Sequence, residues 1–273
     1  MKRLSLVLLL LLGGCGEKKD DAWLGYGEGD NAFISAPQPG WVTRMNLQRG
    51  QQVHRGDLLF VLDDVHERTS RDQAAATLTE AKASLAQERA NLVYAQTELN
   101  RQNSLAHANA GTPTERDLAQ NTYRQSVARI SQLQAQIAQM DASLATADYT
   151  LSQRAIIAQT EGPVQDIYFR AGEYVPASTP VVSILPPKNI FVRFFVPESQ
   201  FARLHLGQKV RISCDGCGAP VDATVSFIAQ QEEFTPPVIF SIENRDKLVF
   251  KAEARAPGGL KIKPGQPVDV RPL

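Results

Sequence analysis

Ile130, Leu133, Ile137, Met140, Leu144, Ala147 and Leu151 follow one another at spacings of 3, 4, 3, 4, 3 and 4 residues. That alternation places all of them on one stripe of an α-helix, the seam of a coiled coil. Upstream, Leu78, Leu85, Leu92 and Leu99 recur every seven residues. Ala81 and Ala95 sit three places after a leucine, and Glu88 is a polar blemish in that same position. Gln, Ser, Thr and charged residues fill the other faces. The stretch 65–154 is therefore predicted as two helices of ~40 residues, each ~60 Å long. A break at Asn109-Ala110-Gly111-Thr112-Pro113 makes them antiparallel. Gly111 is expected to supply the positive φ of a helix end. Thr112-Pro113-Thr114-Glu115 reads as a capping box, with Thr112 as N-cap, proline at the first helical position and glutamate three residues on.

The two flanks of this hairpin repeat one another. A shift of 122 residues lays Ile34 on Ile156, Ala36 on Ala158, Gly40 on Gly162, Val42 on Val164, Gly50 on Gly172 and Val53 on Val175. Met45 and Ile167, Leu47 and Phe169, Leu59 and Val181, and Leu62 and Ile184 agree in apolar character. Each half reads as short strands with turns at Gly40, Gly50 and Gly56 or their counterparts. Neither half is long enough to bury a core alone, so the two are expected to close one small β-sandwich between them.

From 188 to 273 the pattern is that of short strands: Ile190–Val196, Val210–Ile212, Val221–Ala229, Val238–Glu243, Leu248–Arg255 and a last one ending at Val270. This spacing predicts a small β-barrel. Glu198–Leu206 supplies a short helix, and Trp23–Phe33 is a candidate further barrel strand. The expected fold class is thus mixed α and β and elongated: a split sandwich, an inserted coiled-coil α-hairpin and a barrel.

The first residues set the compartment. Lys2 and Arg3 precede a nine-residue apolar run, Leu4–Leu12, and then Gly13-Gly14-Cys15. Nine residues fall short of the ~20 needed to span a bilayer, so the segment reads as a secretory signal. Its Leu-small-small-Cys ending resembles the bacterial lipobox, which implies lipid modification at Cys15. The domains expected are a lipoprotein signal peptide at 1–14 and an anchor, linker and barrel strand at 15–33. Sandwich halves follow at 34–64 and 155–187, the hairpin at 65–154 and the barrel at 188–273. With 29 basic and 29 acidic side chains, the net charge is zero. That balance argues against nucleic acid as a partner.

Signal, half-motif, hairpin, half-motif and barrel, in this order, resemble the HlyD-like membrane fusion proteins, the periplasmic adaptor subunits of bacterial efflux and secretion systems. Ile34 to Val42 and Gly50 to Leu62 are similar to their biotinyl-lipoyl-like half, and Gly162 to Val175 to its complement, with Ser178 where Gly56 stands. Glu233 to Ser241, with Cys214-Asp215-Gly216-Cys217 before it, looks most like adaptors of ABC-2-type exporters. The resemblance implies several partners: an inner-membrane ABC-type or proton-driven transporter, a TolC-like outer-membrane channel, and further copies of the chain, six in a ring. The lipid would hold it in the periplasm, at the inner membrane. It also implies channel docking at the hairpin tip, by an arginine, a leucine four residues later and a serine eleven after the arginine, where threonine in this chain keeps the hydroxyl. Those positions are Arg101, Leu105 and Thr112 here. Each has a plainer role as well: a solvated helix face, the hairpin core and the helix cap.

No catalytic constellation stands out: there is no Gly-x-Ser-x-Gly, phosphate loop or His-Glu-x-x-His. The chain is expected to be no enzyme and to need no cofactor. A swinging-arm carrier needs a lysine on the lipoyl turn, and residues 35–64 and 154–187 contain none. Cys214 and Cys217 read as a structural disulfide, with redox and metal-binding pairs as alternatives. Zinc would need two more ligands, and the four histidines show no paired spacing. A lipoprotein tether without a transport role is the rival function.

Overall fold

The computed structural model describes residues 22–234 and 248–273. They form two compact units, one of residues 31–185 and one of residues 22–30 with 186–234 and 248–273. Strand β1 (Trp23–Gly29) belongs to the second unit.

In the unit 31–185, four strands precede the hairpin: β2 (Ala32–Ser35), β3 (Gly40–Met45), β4 (Gln52–Val53) and β5 (Leu58–Leu62). The hairpin is α1 (Val65–His107) and α2 (Pro113–Ser152), and four strands follow: β6 (Ala155–Ile157), β7 (Gly162–Ile167), β8 (Tyr174–Val175) and β9 (Pro180–Ile184). The strands β7, β8 and β9 each begin 122 residues after β3, β4 and β5. They assemble as two four-stranded sheets, β2-β9-β7-β4 and β6-β5-β3-β8. Each sheet draws two strands from each half of the sequence. The exchange is reciprocal in its hydrogen bonds: Gly50 N–H donates to Val164 O at 2.7 Å, and Gly172 N–H to Val42 O at 2.8 Å. Val164 N–H returns a bond to Gln51 O and Val42 N–H to Glu173 O, both at 2.9 Å. Val42, Val53, Phe60 and Leu62 of one half pack with Val164, Val175, Val182 and Ile184 of the other in one core. Removing either half would leave the other with half a core and unpaired sheet edges.

Gly40 and Gly162 open strands β3 and β7 instead of making turns. At Gly40 the reason is a close approach: a Cβ there would lie 3.0 Å from Arg154 Nη1. Gly50, Gly56 and Gly172 do take positive φ, and Ser178, the counterpart of Gly56, is held at φ 60°.

The hairpin seam lies where the heptads place it. Leu78, Ala81, Leu85, Ala95 and Leu99 of α1 are buried, as are Ala119, Ser126 and Leu133 of α2. Ser126 and Ala119 continue the α2 stripe four and eleven residues before Ile130, but a hydroxyl and a methyl carry little hydropathy signal.

In the other unit, β10 (Ile190–Pro197), a short helix α3 (Glu198–Phe201), β11 (Lys209–Ser213), β12 (Val221–Phe234), β13 (Leu248–Arg255) and β14 (Pro267–Pro272) join β1. The six strands close a barrel in the order β1-β10-β13-β12-β11-β14. Strand β14 pairs with both β1 and β11 and so seals it. Trp23 stacks on Phe194 inside, with ring centroids 5.6 Å apart, and its indole Nε1–H donates to Gln200 Oε1 at 2.6 Å. The barrel strand expected over Trp23–Phe33 stops at Gly29, and Ala32–Ser35 serves the sandwich. The helix expected to Leu206 ends at Phe201. Strand β12 runs five residues beyond Ala229. The strand expected at Val238–Glu243 lies outside the described residues.

Candidate functional site

The hairpin tip is built by two complementary caps. Helix α1 ends with Asn109 at φ 55°. Asn109 N–H bonds Ala106 O at 3.1 Å and Ala110 N–H bonds Leu105 O at 2.9 Å, the paired bonds of a Schellman motif. Asn109 therefore takes the left-handed position expected of Gly111. Glycine serves at 111 for room: a Cβ would sit 3.2 Å from Leu105 Cβ and 3.3 Å from Ala106 N.

Helix α2 starts with the capping box. Glu115 N–H donates to Thr112 Oγ1 at 3.2 Å, and Thr112 N–H donates to Glu115 Oε2 at 3.2 Å. The Thr112 hydroxyl also donates to that carboxylate at 2.7 Å. These bonds from Thr112, side chain first and backbone second, hold the Glu115 carboxyl below its ordinary range. The hydroxyl has spent its proton inside the cap, so toward a partner Thr112 acts as an acceptor only.

Arg101 and Leu105 lie one turn apart on α1. Leu105 is 37% exposed. Arg101 pairs with Glu98, which also accepts from Gln102 Nε2 at 2.9 Å. The hydrogen bond from Arg101 holds Glu98 below the usual carboxylate range. Glu98 in turn lines a cavity of about 250 Å3 between the two helices, with Tyr94, Ala95, Glu115, Leu118 and Ala119. Tyr94 and Leu118 are about seven-tenths exposed (72% and 67%). The tip thus carries an apolar cleft rimmed by Glu98 and Glu115.

At the other end of the hairpin, sequence reasoning missed a buried joint. Arg154, just after α2, donates through Nη2 to Glu67 Oε1 and through Nη1 to Pro39 O at 2.9 Å. Its own carbonyl accepts from Leu62 N–H at 2.8 Å. Both side chains are withdrawn from solvent, at 13% and 8% exposure. Burial, the largest single effect, pushes the Glu67 carboxyl up, but the hydrogen bond and charge of Arg154 together with a backbone hydrogen bond outweigh it and hold the group below its ordinary value. The pair clamps the base of the hairpin to the sandwich. A glutamate in a polar first turn carries no periodicity signal, and its partner is 87 residues away.

Cys214 and Cys217 are joined as a disulfide, with Cα atoms 5.5 Å apart, in the turn between β11 and β12. Cys15 lies outside the described residues. Among the described residues no helix is long and apolar enough to cross a membrane, and no cluster of His, Cys, Asp and Glu could hold a metal.

Residues 77–154 match the family described as RND MFP, alpha-helical hairpin domain. An uncharacterized protein of Haemophilus influenzae is 28% identical over 184 residues, 67% of this chain and 41% of its own length. The macrolide export protein MacA of Escherichia coli O157:H7 is 29% identical over 179 residues, 64% of this chain and 48% of its own. The chain thus spans less than half the length of either relative. In fold, the chain is similar to the crystal structure of MacA from Actinobacillus actinomycetemcomitans, with a TM-score of 0.68 and 17% identity, over 92% of this chain and 78% of that one.

Proposed function

We propose that this chain, a member of the HlyD-like membrane fusion proteins, is a non-enzymatic periplasmic adaptor that links an inner-membrane exporter to an outer-membrane channel. The observation that carries the reading is the hairpin. Helices of 43 and 40 residues share one heptad seam and turn at a doubly capped tip. Their match to the adaptor hairpin family supports the same reading.

In this reading the tip meets a TolC-like channel. Arg101 supplies a charge, Leu105 an apolar contact and Thr112 an acceptor. The barrel contacts the exporter, an ABC-type pump, and drugs or other small molecules are the cargo. The likeness to a macrolide export protein supports small molecules as the cargo. Several copies, six in a full ring, stand side by side. Val93, Val127 and Tyr149 are exposed on the hairpin flanks at 67%, 44% and 66%, and lateral packing would cover them. A lipid on Cys15 anchors each copy to the inner membrane.

The test is in cells. Replacing Arg101 and Leu105 together by aspartate is expected to abolish export while the circular dichroism and abundance of the protein stay unchanged. Unchanged export removes tip docking. Cross-linking followed by detergent purification is expected to recover an ATPase-linked permease and an outer-membrane channel. A proton-driven permease instead would replace the ABC assignment. Recovery of self and cell-wall proteins alone would favour a tether.

A further inference from the structure

Cys214 and Cys217 close a ring across only Asp215 and Gly216. So short a loop removes little chain entropy and ties no distant segments together. Both cysteines are half-buried at the edge of the barrel core, so the bond is not sealed from solvent.

The two sulfurs have different surroundings. Gln266 Nε2–H donates to Cys217 Sγ at 2.9 Å and makes a longer bond, 3.9 Å, to Cys214 Sγ. Its Oε1 accepts from Lys263 N–H at 3.1 Å, which orients the amide with its donor end at the sulfur. Cys214, and not Cys217, lines a cavity of about 340 Å3 together with Leu24, Val268 and the acidic residues Asp215 and Asp269.

We propose that Cys214–Cys217 is a thiol–disulfide exchange site, entered from this cavity, with Cys214 as the sulfur attacked and Cys217 as the leaving thiolate. A donor thiolate forms a bond to Cys214 Sγ as the Cys214–Cys217 bond breaks, and the electron pair goes to Cys217. The Gln266 N–H, already in place, stabilises that thiolate. A leaving thiolate so stabilised departs faster. The second thiol of a dithiol donor then attacks the donor's own sulfur in the mixed disulfide, releasing Cys214. Two electrons and two protons pass to the pair, and the donor becomes a disulfide. The acidic lining repels anionic donors, so the substrate class is a neutral or cationic thiol.

Gly27 N–H donates to Gln266 O and Gly265 N–H to Gly27 O, both at 2.8 Å, immediately before β14. These backbone bonds hold Gln266 in place beside the pair.

The test uses the folded full chain and monothiols of graded charge: cysteamine (cationic), 2-mercaptoethanol (neutral) and 2-mercaptoethanesulfonate (anionic). Maleimide capture and intact mass report the rate per thiolate. The expected result is reduction with the circular dichroism unchanged, in that order of rates over about tenfold, converging at high salt. Gln266→Glu keeps an acceptor for Lys263 but removes the donor to sulfur. It is expected to slow reduction about tenfold in the folded protein and not at all in denaturant. Should that variant misfold, Asp215→Asn with Asp269→Asn is expected to abolish the dependence on donor charge. Reduction only under denaturing conditions, a flat or reversed charge series, or equal native rates for Gln266→Glu would overturn the proposal. Neither the donors nor the readout involves a transporter or channel, so a negative result here leaves the adaptor function standing, and the reverse.

Discussion

In the barrel, Val192, Phe194, Val196, Val210 and Val270 are wholly withdrawn from water. Along α2, Leu133 alone among the seven residues of the predicted seam is buried, and the other six keep part of their surface in solvent. Both regions have regular apolar patterns, period two in one and three-four in the other. The difference is geometric. A closed barrel surrounds each inward side chain with neighbours from several strands, whereas a seam residue of a two-helix hairpin meets one partner helix. The lesson is that the barrel completes its own core and the hairpin leaves apolar surface such as Tyr94, Leu118 and Tyr149 exposed. Tyr94 and Leu118 share one cleft, and contiguous apolar surface, unlike a single exposed side chain, marks interaction sites.

The largest expected effect tests this contrast directly. Phe194→Ala removes a ring from a closed core and stacked against Trp23, and should cost about 3–5 kcal/mol by denaturant melts. Leu133→Ala, at the deepest point of the α2 stripe, should cost about 2 kcal/mol, because the open seam relaxes around the gap. Equal losses would erase the distinction.

Next is the clamp at the hairpin base. Arg154→Met strands the Glu67 carboxylate in a buried place and should cost about 3 kcal/mol, with Glu67→Gln restoring part of it in the double variant. The sign of the pH dependence follows from the carboxyl's lowered value in the folded state. The pair contributes stability above the ordinary carboxylate range and loses it as the pH falls through the folded value. Acid melts of the wild type should therefore decline more steeply than those of Glu67→Gln.

At the tip, Thr112→Ala deletes an N-cap and should cost about 1 kcal/mol in local stability, seen as faster amide exchange at Glu115 and its neighbours. Export should fall further than this loss explains if the Thr112 oxygen also meets the channel.

The smallest effect separates the two halves of the sandwich. Ser178 holds the positive φ for which its counterpart Gly56 is suited. Ser178→Gly relieves that strain and should stabilise by about 0.5 kcal/mol after the added chain entropy of glycine is counted. A loss of stability would mean that the serine side chain makes up for its backbone.

Much of this architecture was legible in the residues alone. The heptads of Leu78 to Leu99 and Ile130 to Leu151 dictated two long helices, since only a helix lines up residues three and four apart. Thr112, Pro113 and Glu115 marked the start of the second, because a cap is a local bond between neighbours in sequence. The 122-residue repeat foretold a sandwich of two halves. What the sequence left open were the matters settled between residues far apart in the chain. One local matter also escaped: Asn109 and not Gly111 takes the left-handed position, and Leu105 crowds position 111. Tertiary packing decided that β1 ends at Gly29, and that Arg154 meets Glu67. It also placed the Gln266 amide nearer one sulfur of a pair whose spacing alone did not distinguish them. Periodicity and capping are short-range and can be read along the chain, whereas burial, close approach and charge pairing depend on which distant surfaces the fold brings together.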